Sequence, residues 1–228
     1  MTGGLTCIVP CRNAQAYLAQ AIASALTEGA DEVVVVDDGS TDDSAAVAEV
    51  ATGPVRVLRQ VGQGAAAARN AGLAIARHNL IAFLDADDLW PTGSLALRCG
   101  VLAADPKLDA VYGHVQQFYS PELDPVTRSR YVCPPSAWPA RHAGSILWRR
   151  SVFERIGGFN VSLKQGEMFE LIARFDDAGL AIRCIPETVL LRRIHDSNMM
   201  RPGGGAAGGY PGALKAVLDR RRRMRLPR

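Results

Sequence analysis

The run of four valines at residues 33–36 constrains the fold more than any other stretch of the chain. It has no polar residue at alternate positions, which predicts a strand buried on both faces, as in a parallel sheet covered by helices. Further strands are predicted at the largely apolar residues 5–9, 55–58 and 80–84, and segments of helical character separate the four strands. This alternation predicts an α/β fold with a mostly parallel central sheet and helices on both faces.

Two of the predicted strands end in carboxylates. Asp37 and Asp38 follow the valine run, and Asp85, Asp87 and Asp88 lie within four residues after the strand at 80–84. Ligands bind beyond the carboxyl ends of the strands in an open α/β sheet, so both groups of acids should face one crevice. Asp85 and Asp87, with one small residue between them, can reach a single Mg²⁺ or Mn²⁺ ion. For Asp88 the alternative is that it caps the next helix.

Composition indicates an ordinary globular protein. The chain has 228 residues, of which 48% are hydrophobic and 21% are charged, enough for one sizeable core or for one core with a small appendage. The five cysteines form no CxxC pair, which favours free thiols in a reducing compartment. No signal-peptide pattern and no run of membrane-spanning length are visible, so we expect a cytoplasmic protein.

The positive charge is confined to the C-terminal end. Residues 214–228 carry seven basic residues and one acid, a net charge of +6, whereas the whole chain is +3 and the remainder is therefore −3. This distribution argues against a nucleic-acid partner. We expect a main domain at residues 1–198, followed at 199–228 by a glycine-rich connector and a basic helix. A solvated helix packed on the body is the favoured interpretation of that helix, and a peripheral membrane contact through 213–228 is the less favoured one.

Four motifs stand in the order and spacing of family 2 glycosyltransferases with the GT-A fold. They are Pro10 with Asn13, and the segments 36–42, 68–72 and 83–88. The chain resembles this family from about residue 5 to residue 195. The resemblance implies an inverting transfer of a sugar from a nucleotide-diphosphate sugar, with a UDP-sugar as the expected donor, Mn²⁺ or Mg²⁺ as the cofactor, and an acceptor that the sequence does not identify. A nucleotidyltransferase is a weaker alternative, because its glycine-rich, basic phosphate loop is absent at residues 10–13.

The resemblance also implies roles for individual residues. Donor-nucleotide binding is assigned to Pro10, Asp37, Asp38, Arg69, Asp85, Ala86 and Arg193. Asp87 and His195 are the expected metal ligands, and Asp87 is also counted as catalytic. For Arg69 the alternative is an ordinary surface position on a helix, and for Asp37 and Asp38 it is turn chemistry.

The place of the expected catalytic base is the main departure from the family. A Glu-Asp pair is usual there, and this chain has Glu167 followed by Met168, which cannot accept a proton. Three explanations are open: Glu167 is the base, which we favour; Glu170 on the same helical face replaces it; or the base is lost. In the third case the protein would be a donor-binding, catalytically impaired relative of the family.

The middle of the chain shows little periodicity. Residues 113–142 predict a long irregular segment, which the resemblance places beside the acceptor. Tyr131 and Trp138 could stack on a sugar there or pack beneath a loop. Two separate late strands are expected at 180–185 and 188–191.

Overall fold

A computed structural model of the chain describes residues 4–196 and 210–225. The strands are β1 (Leu5–Cys11), β2 (Glu32–Asp37), β3 (Val55–Arg59), β4 (Leu80–Phe83), β5 (Ala110–Tyr119), β6 (Trp138–Pro139), β7 (Ile146–Arg149) and β8 (Ile182–Ile194). The helices are α1 (Leu18–Thr27), α2 (Ser44–Glu49), α3 (Ala65–Ile75), α4 (Ser94–Ala104), α5 (Pro125–Arg128), α6 (Ser151–Ile156), α7 (Glu167–Asp177) and α8 (Tyr210–Arg225), and a 3₁₀ turn covers Ala143–Ser145.

The strands form one sheet in the order β3-β2-β1-β4-β7-β5, with β6 and β8 both paired to β5. The half from β3 to β4 is entirely parallel, β7 is antiparallel to both β4 and β5, and β8 is parallel to β5. The predicted α/β class with a mostly parallel sheet is therefore confirmed. Since strand order reverses at β1, the carboxyl ends of β1 and β4 flank the crevice where such folds bind ligands.

The valine run lies at the centre of this sheet and is buried on both sides. Val33 and Val35 pack in a core with side chains of α1 and α4, while Val34 and Val36 pack in a second core with side chains of α3, α6 and α7. All four valines are fully buried. A strand without polar alternation thus has helices on both faces, as the sequence predicted.

Helix α3 approaches the sheet unusually closely through Gly72. A Cβ atom added at Gly72 would lie 2.4 Å from Cγ2 of Ile8 on β1. Only a residue without a side chain fits at this position. Arg69 lies one turn earlier on α3 and reaches Asp85, just beyond the carboxyl end of β4.

The second half of the sheet differs from the prediction. β5 continues to Tyr119, inside the segment expected to be irregular, and β8 is one strand where two were expected. The register between them shifts between Tyr112 and His114, and again between His114 and Val115. The first of these irregularities spans Pro186, which cannot donate to a strand ladder and which lies in the gap between the two expected strands.

Helix α8 packs on α7. Its Ala213 and Val217 are buried, and Arg220 is bonded to both Glu170 and Asp177. The predicted division at residue 198 stays a prediction, and most of the glycine-rich connector lies outside the described residues. Across the described ranges, the helices are all too short or too polar to cross a bilayer.

Candidate functional site

The loops that follow β1 and β2 are joined by Asn13. This residue has a left-handed backbone with φ 52°, its side-chain oxygen accepts a hydrogen bond from Thr41 N at 2.8 Å, and its own N–H donates to Ser40 Oγ at 2.9 Å. Asparagine tolerates this conformation better than most residues. The carboxyl ends of the two strands are thereby held as one rigid edge.

Asp38 organises the next loop along this edge. Its side chain is buried, with Oδ1 accepting from Gln60 Nε2 at 2.6 Å and Gln63 N at 2.8 Å, and with Oδ2 accepting from Gly64 N at 2.7 Å. Asp37 is also buried and accepts from Ser40 N at 3.2 Å. Both acids hold the loops in shape, and their contact with a nucleoside stays a prediction.

Pro10 lies in the same edge, near the end of β1. It pairs in register with Val36 of β2 and is partly exposed. A donor contact at this position stays a prediction.

Arg69 joins the acids after β4 to the start of α7. Its Nη2 donates to Asp85 Oδ1 at 2.8 Å and its Nη1 donates to Glu167 Oε1 at 2.8 Å. Burial lowers the pKa of Arg69, but the two carboxylates outweigh burial and the net shift is upward. The guanidinium also lies 5.4 Å from the centre of the Phe159 ring. Arg69 is therefore a buried site residue, and the surface-position alternative is wrong.

The second oxygen of Asp85 faces a histidine that the sequence analysis did not identify. His142 Nε2 lies 3.9 Å from Asp85 Oδ2. Burial raises the pKa of Asp85, but Arg69 and His142 outweigh it and hold the pKa below its ordinary value. Burial lowers the pKa of His142 despite the neighbouring Asp85. At neutral pH the site thus holds an ionised carboxylate beside a neutral imidazole.

Asp88 is buried behind these groups and does not cap a helix. Its Oδ1 accepts from Arg193 N at 2.9 Å, while α4 begins at Ser94 with Gly93 as its N-cap. Its Oδ2 has no hydrogen-bond partner among the described residues. Burial, together with the negative charges of Asp87 and Asp85, raises the pKa of Asp88 well above its ordinary value. The helix-cap interpretation is wrong, and Asp88 instead carries a buried oxygen that no described residue satisfies.

These acids fit a divalent cation. Ligand atoms of Asp85, Asp88 and His142 lie within 4.8 Å of one another, and carboxylate oxygens are the ligands that Mn²⁺ and Mg²⁺ prefer. His142 accepts a hydrogen bond from Gly144 N at Nδ1, so a neutral ring carries its proton on Nε2, the nitrogen that faces the acids. In this tautomer the two carboxylates are the fitting ligands and the imidazole is a donor.

The expected metal ligands Asp87 and His195 also lie together. Asp87 Oδ2 is 2.9 Å from His195 Nε2. His195 is buried, and the Tyr17 ring lies 4.5 Å from it between centroids. The acids after β4 therefore point in two directions, with Asp87 toward His195 and with Asp85 and Asp88 toward His142.

Arg193 supports the acidic loop from behind. Its Nε donates to the carbonyl of Asp87 at 3.0 Å, and its other nitrogens donate to Gln20 Oε1 at 2.6 Å and Ser120 Oγ at 3.3 Å. Its side chain is buried, as is Ala86 in the loop itself. Arg193 thus fixes the backbone that carries Asp87, and a direct contact of Arg193 or Ala86 with a nucleotide stays a prediction.

The three residues considered for the base region have different surroundings. Glu167 is the first residue of α7 and is bonded to Arg69 through Oε1. Met168 is partly buried and packs against the second core. Glu170 is buried, and its oxygens accept from Arg174 and Arg220 at 2.9 to 3.0 Å. Glu170 joins α7 to α8, so the interpretation of Glu170 as the base is wrong.

Some of these residues could be identified from the sequence and others could not. Asp88 was visible as the third acid of its cluster, although its burial was not. His142 and Tyr17 gave no signal, because one lies in a segment without periodicity and the other is a single aromatic residue before a helix.

Comparison with known proteins agrees with this geometry. Residues 6–165 match the model of the family described as "Glycosyl transferase family 2". The succinoglycan biosynthesis protein ExoU of Rhizobium meliloti is 52% identical over 93 residues, which is 39% of this chain and 27% of that protein. The pre-mycofactocin glycosyltransferase of Mycobacterium tuberculosis is 30% identical over 200 residues, 80% of this chain and 41% of that protein.

Solved structures show the same fold. The crystal structure of S. aureus TarS 1-349 in complex with UDP-GlcNAc superimposes with a TM-score of 0.73 at 16% identity, covering 94% of this chain and 65% of that one. The chain spans only about a quarter of ExoU and two fifths of the mycobacterial relative. The match of the family model over most of the chain, together with the acidic edge of the sheet, shows that this protein belongs to glycosyl transferase family 2 and has a GT-A fold.

Proposed function

We propose that the protein is a metal-dependent, inverting glycosyltransferase that moves a sugar from a nucleotide-diphosphate sugar to an acceptor nucleophile. The observation that carries this proposal is the double ion pair of Arg69, which connects Asp85 at the end of β4 to Glu167 at the start of α7. A UDP-sugar is the donor we expect, since a structure with this fold binds UDP-GlcNAc.

The donor would lie along the carboxyl edge of the sheet. Its nucleoside would contact Pro10, Asp37 and Asp38 or the loops that these residues hold. Its diphosphate would lie near Asp85, Ala86 and Arg69, with Arg193 acting through the loop backbone. This order follows the strand order β2, β1, β4.

The carboxylates of Asp85 and Asp88, whose ligand atoms lie within 4.8 Å of each other, would hold a Mn²⁺ or Mg²⁺ ion. Asp87 and His195, which contact each other, are the further expected ligands. When bound, the ion supplies neutralising charge for the departing diphosphate. The unsatisfied Oδ2 of Asp88 supports this fit, because a buried carboxylate oxygen without a donor is costly unless a cation or a proton reaches it.

Glu167 would be the base that accepts the proton of the acceptor. Its Oε1 is held by Arg69, while its Oε2 has no hydrogen-bond partner among the described residues. Arg69 thereby orients the carboxylate and leaves one oxygen for the acceptor. A direct displacement by the acceptor then inverts the anomeric centre.

Donor turnover with a panel of nucleotide sugars and Mn²⁺ tests the proposal. We expect Glu167→Gln to lower kcat by roughly 10²- to 10⁴-fold, the usual contribution of a general base. Glu187→Gln removes an exposed acid on β8 and is the matched control, for which we expect no change.

Two results would contradict the role of Glu167. One is an unchanged kcat in Glu167→Gln. The other is donor binding without turnover for any acceptor, with activity appearing in Met168→Asp, which would favour the impaired donor-binding alternative. Absence of nucleotide-sugar binding would overturn the proposed function itself.

A further inference from the structure

The outer face of α8 carries leucines that the packing on α7 leaves uncovered. Ala213 and Val217 face the body and are buried, whereas Leu214 and Leu218 are 49% and 44% exposed. The two leucines are four residues apart, and Arg222 continues the same row by another four. Residues with this spacing lie on one face of a helix.

Basic residues surround these leucines. Lys215 and Arg222 are exposed and form no ion pair among the described residues, while Arg221 is exposed and paired to Asp177. The helix contains a single acid, Asp219. The outer face of α8 is therefore apolar at its centre and cationic around it.

We propose that this face docks the protein peripherally on an anionic bilayer. The leucines would enter the boundary between headgroups and acyl chains, and the basic side chains would pair with anionic headgroups. The segregation of charge supports this occupant: residues 214–228 carry +6 and the rest of the chain −3, so the net positive charge that an anionic surface attracts is concentrated at this end. A nucleic acid would use the arginines but leave the leucines in water.

The attachment of α8 to the body makes the surface a fixed one. Arg220 is bonded to the buried Glu170 and to Asp177, and Arg221 to Asp177, so the helix cannot turn its leucines inward without losing these pairs. Two leucines and a few basic residues give weak, reversible binding. The inference does not rest on the proposed function, since it concerns a surface that the donor site does not include.

Co-sedimentation of the full chain with vesicles tests the inference. We expect binding to vesicles of equal parts phosphatidylglycerol and phosphatidylcholine, at least about tenfold above binding to pure phosphatidylcholine, and loss of that binding in high salt. Lys215→Glu with Arg222→Glu should abolish the binding, and Leu214→Ser with Leu218→Ser should weaken the binding at low salt without changing the net charge.

Lys107→Glu with Arg130→Glu is the control, because it makes the same change of net charge at exposed positions elsewhere. Equal losses in the control and in the α8 variants would overturn the inference, as would the absence of binding to anionic vesicles. Binding to RNA without binding to vesicles would also overturn it and would identify a nucleic-acid surface instead. None of these results bears on donor turnover.

Discussion

Glu32 is a carboxylate buried at the start of β2, and each of its oxygens has a donor. Arg56 Nη1 donates to Oε1 at 2.9 Å, while Thr6 Oγ1 and Arg77 N donate to Oε2 at 2.8 Å and 3.0 Å. Burial raises the pKa of Glu32, but these donors outweigh it and hold the pKa below the ordinary value of 4.5. Glu32 therefore stabilises the fold as an anion.

We predict that Glu32→Gln lowers the free energy of unfolding at pH 7 by about 1–3 kcal/mol, the cost of losing a charged partner in a buried network. The stabilisation by Glu32 is complete above the unfolded-state pKa and is lost as the pH falls through the lower folded-state pKa. The difference in free energy of unfolding between the wild type and Glu32→Gln should thus become smaller as the pH falls. Urea unfolding of both proteins at pH 7 and at a pH below the folded-state pKa of Glu32 checks this.

Glu49→Gln is the control for this experiment, because Glu49 forms an exposed pair with Arg59. We expect a change of no more than about 0.5 kcal/mol at pH 7. A gap between the wild type and Glu32→Gln that stays constant into acid would contradict the assigned role.

We expect Asp88 to lower the stability of the metal-free protein and to contribute to metal binding. Its buried carboxylate lies beside Asp85 and Asp87, and one of its oxygens has no partner in the described part of the chain. We predict that, in the absence of metal, Asp88→Asn raises the free energy of unfolding by about 1 kcal/mol, because it removes a like charge from the cluster. The same variant should show a smaller rise in Tm with Mn²⁺, and an equal rise in both proteins would contradict the fit.

At the scale of single elements, two helical glycines should respond to alanine in opposite directions. Gly72 of α3 lies against β1, where a Cβ would approach Ile8 to 2.4 Å, whereas a Cβ at Gly100 of α4 would meet no atom within 4 Å. We predict that Gly72→Ala lowers the free energy of unfolding by about 1–3 kcal/mol through overpacking. Gly100→Ala should raise it by about 0.5–1 kcal/mol through helix propensity.

Urea unfolding of both variants checks this pair, with each serving as the control for the other. If Gly72→Ala were neutral, α3 would not approach the sheet as closely as the structure shows. A loss of stability in Gly100→Ala would mean that its surface is covered.

The strands that could be predicted are those whose own sequence is apolar enough to indicate a buried strand. The valine run indicates by itself a strand covered on both faces. The acids at the ends of β2 and β4 could then be placed at the carboxyl edge of the sheet. β5 and β8 differ because their length depends on each other. Val115 to Tyr119 of β5 pair with Leu190 to Ile194 beyond two irregularities in register, whose positions no local pattern encodes.

The same distinction holds for the site. Asp85 and Asp87 could be identified because they lie next to a strand in the sequence, while His142 reaches Asp85 only through the fold. The partners of Arg69 and Glu170 likewise come from distant elements, so their helical position alone left several roles open.

At the scale of the whole molecule, donor and metal should stabilise the fold together. The proposed site joins β1, β2 and β4 to α3, α7 and β8, so a ligand that binds it opposes unfolding of the entire sheet. We predict that UDP with Mn²⁺ at about 100 times its Kd raises the free energy of unfolding by about 2.7 kcal/mol. Thermal unfolding checks this, and EDTA should remove the metal-dependent part; a rise unaffected by EDTA would contradict metal dependence.

The position of Arg69 would link donor binding near Asp85 to the protonation of Glu167. One guanidinium is shared by Asp85 and Glu167. A diphosphate that bound near Asp85 and attracted this guanidinium would weaken its ion pair with Glu167. If Glu167 is the base, as proposed, donor occupancy and proton uptake by Glu167 would then be thermodynamically linked. By thermodynamic reciprocity, protonation of Glu167 would alter the grip on the donor by the same factor.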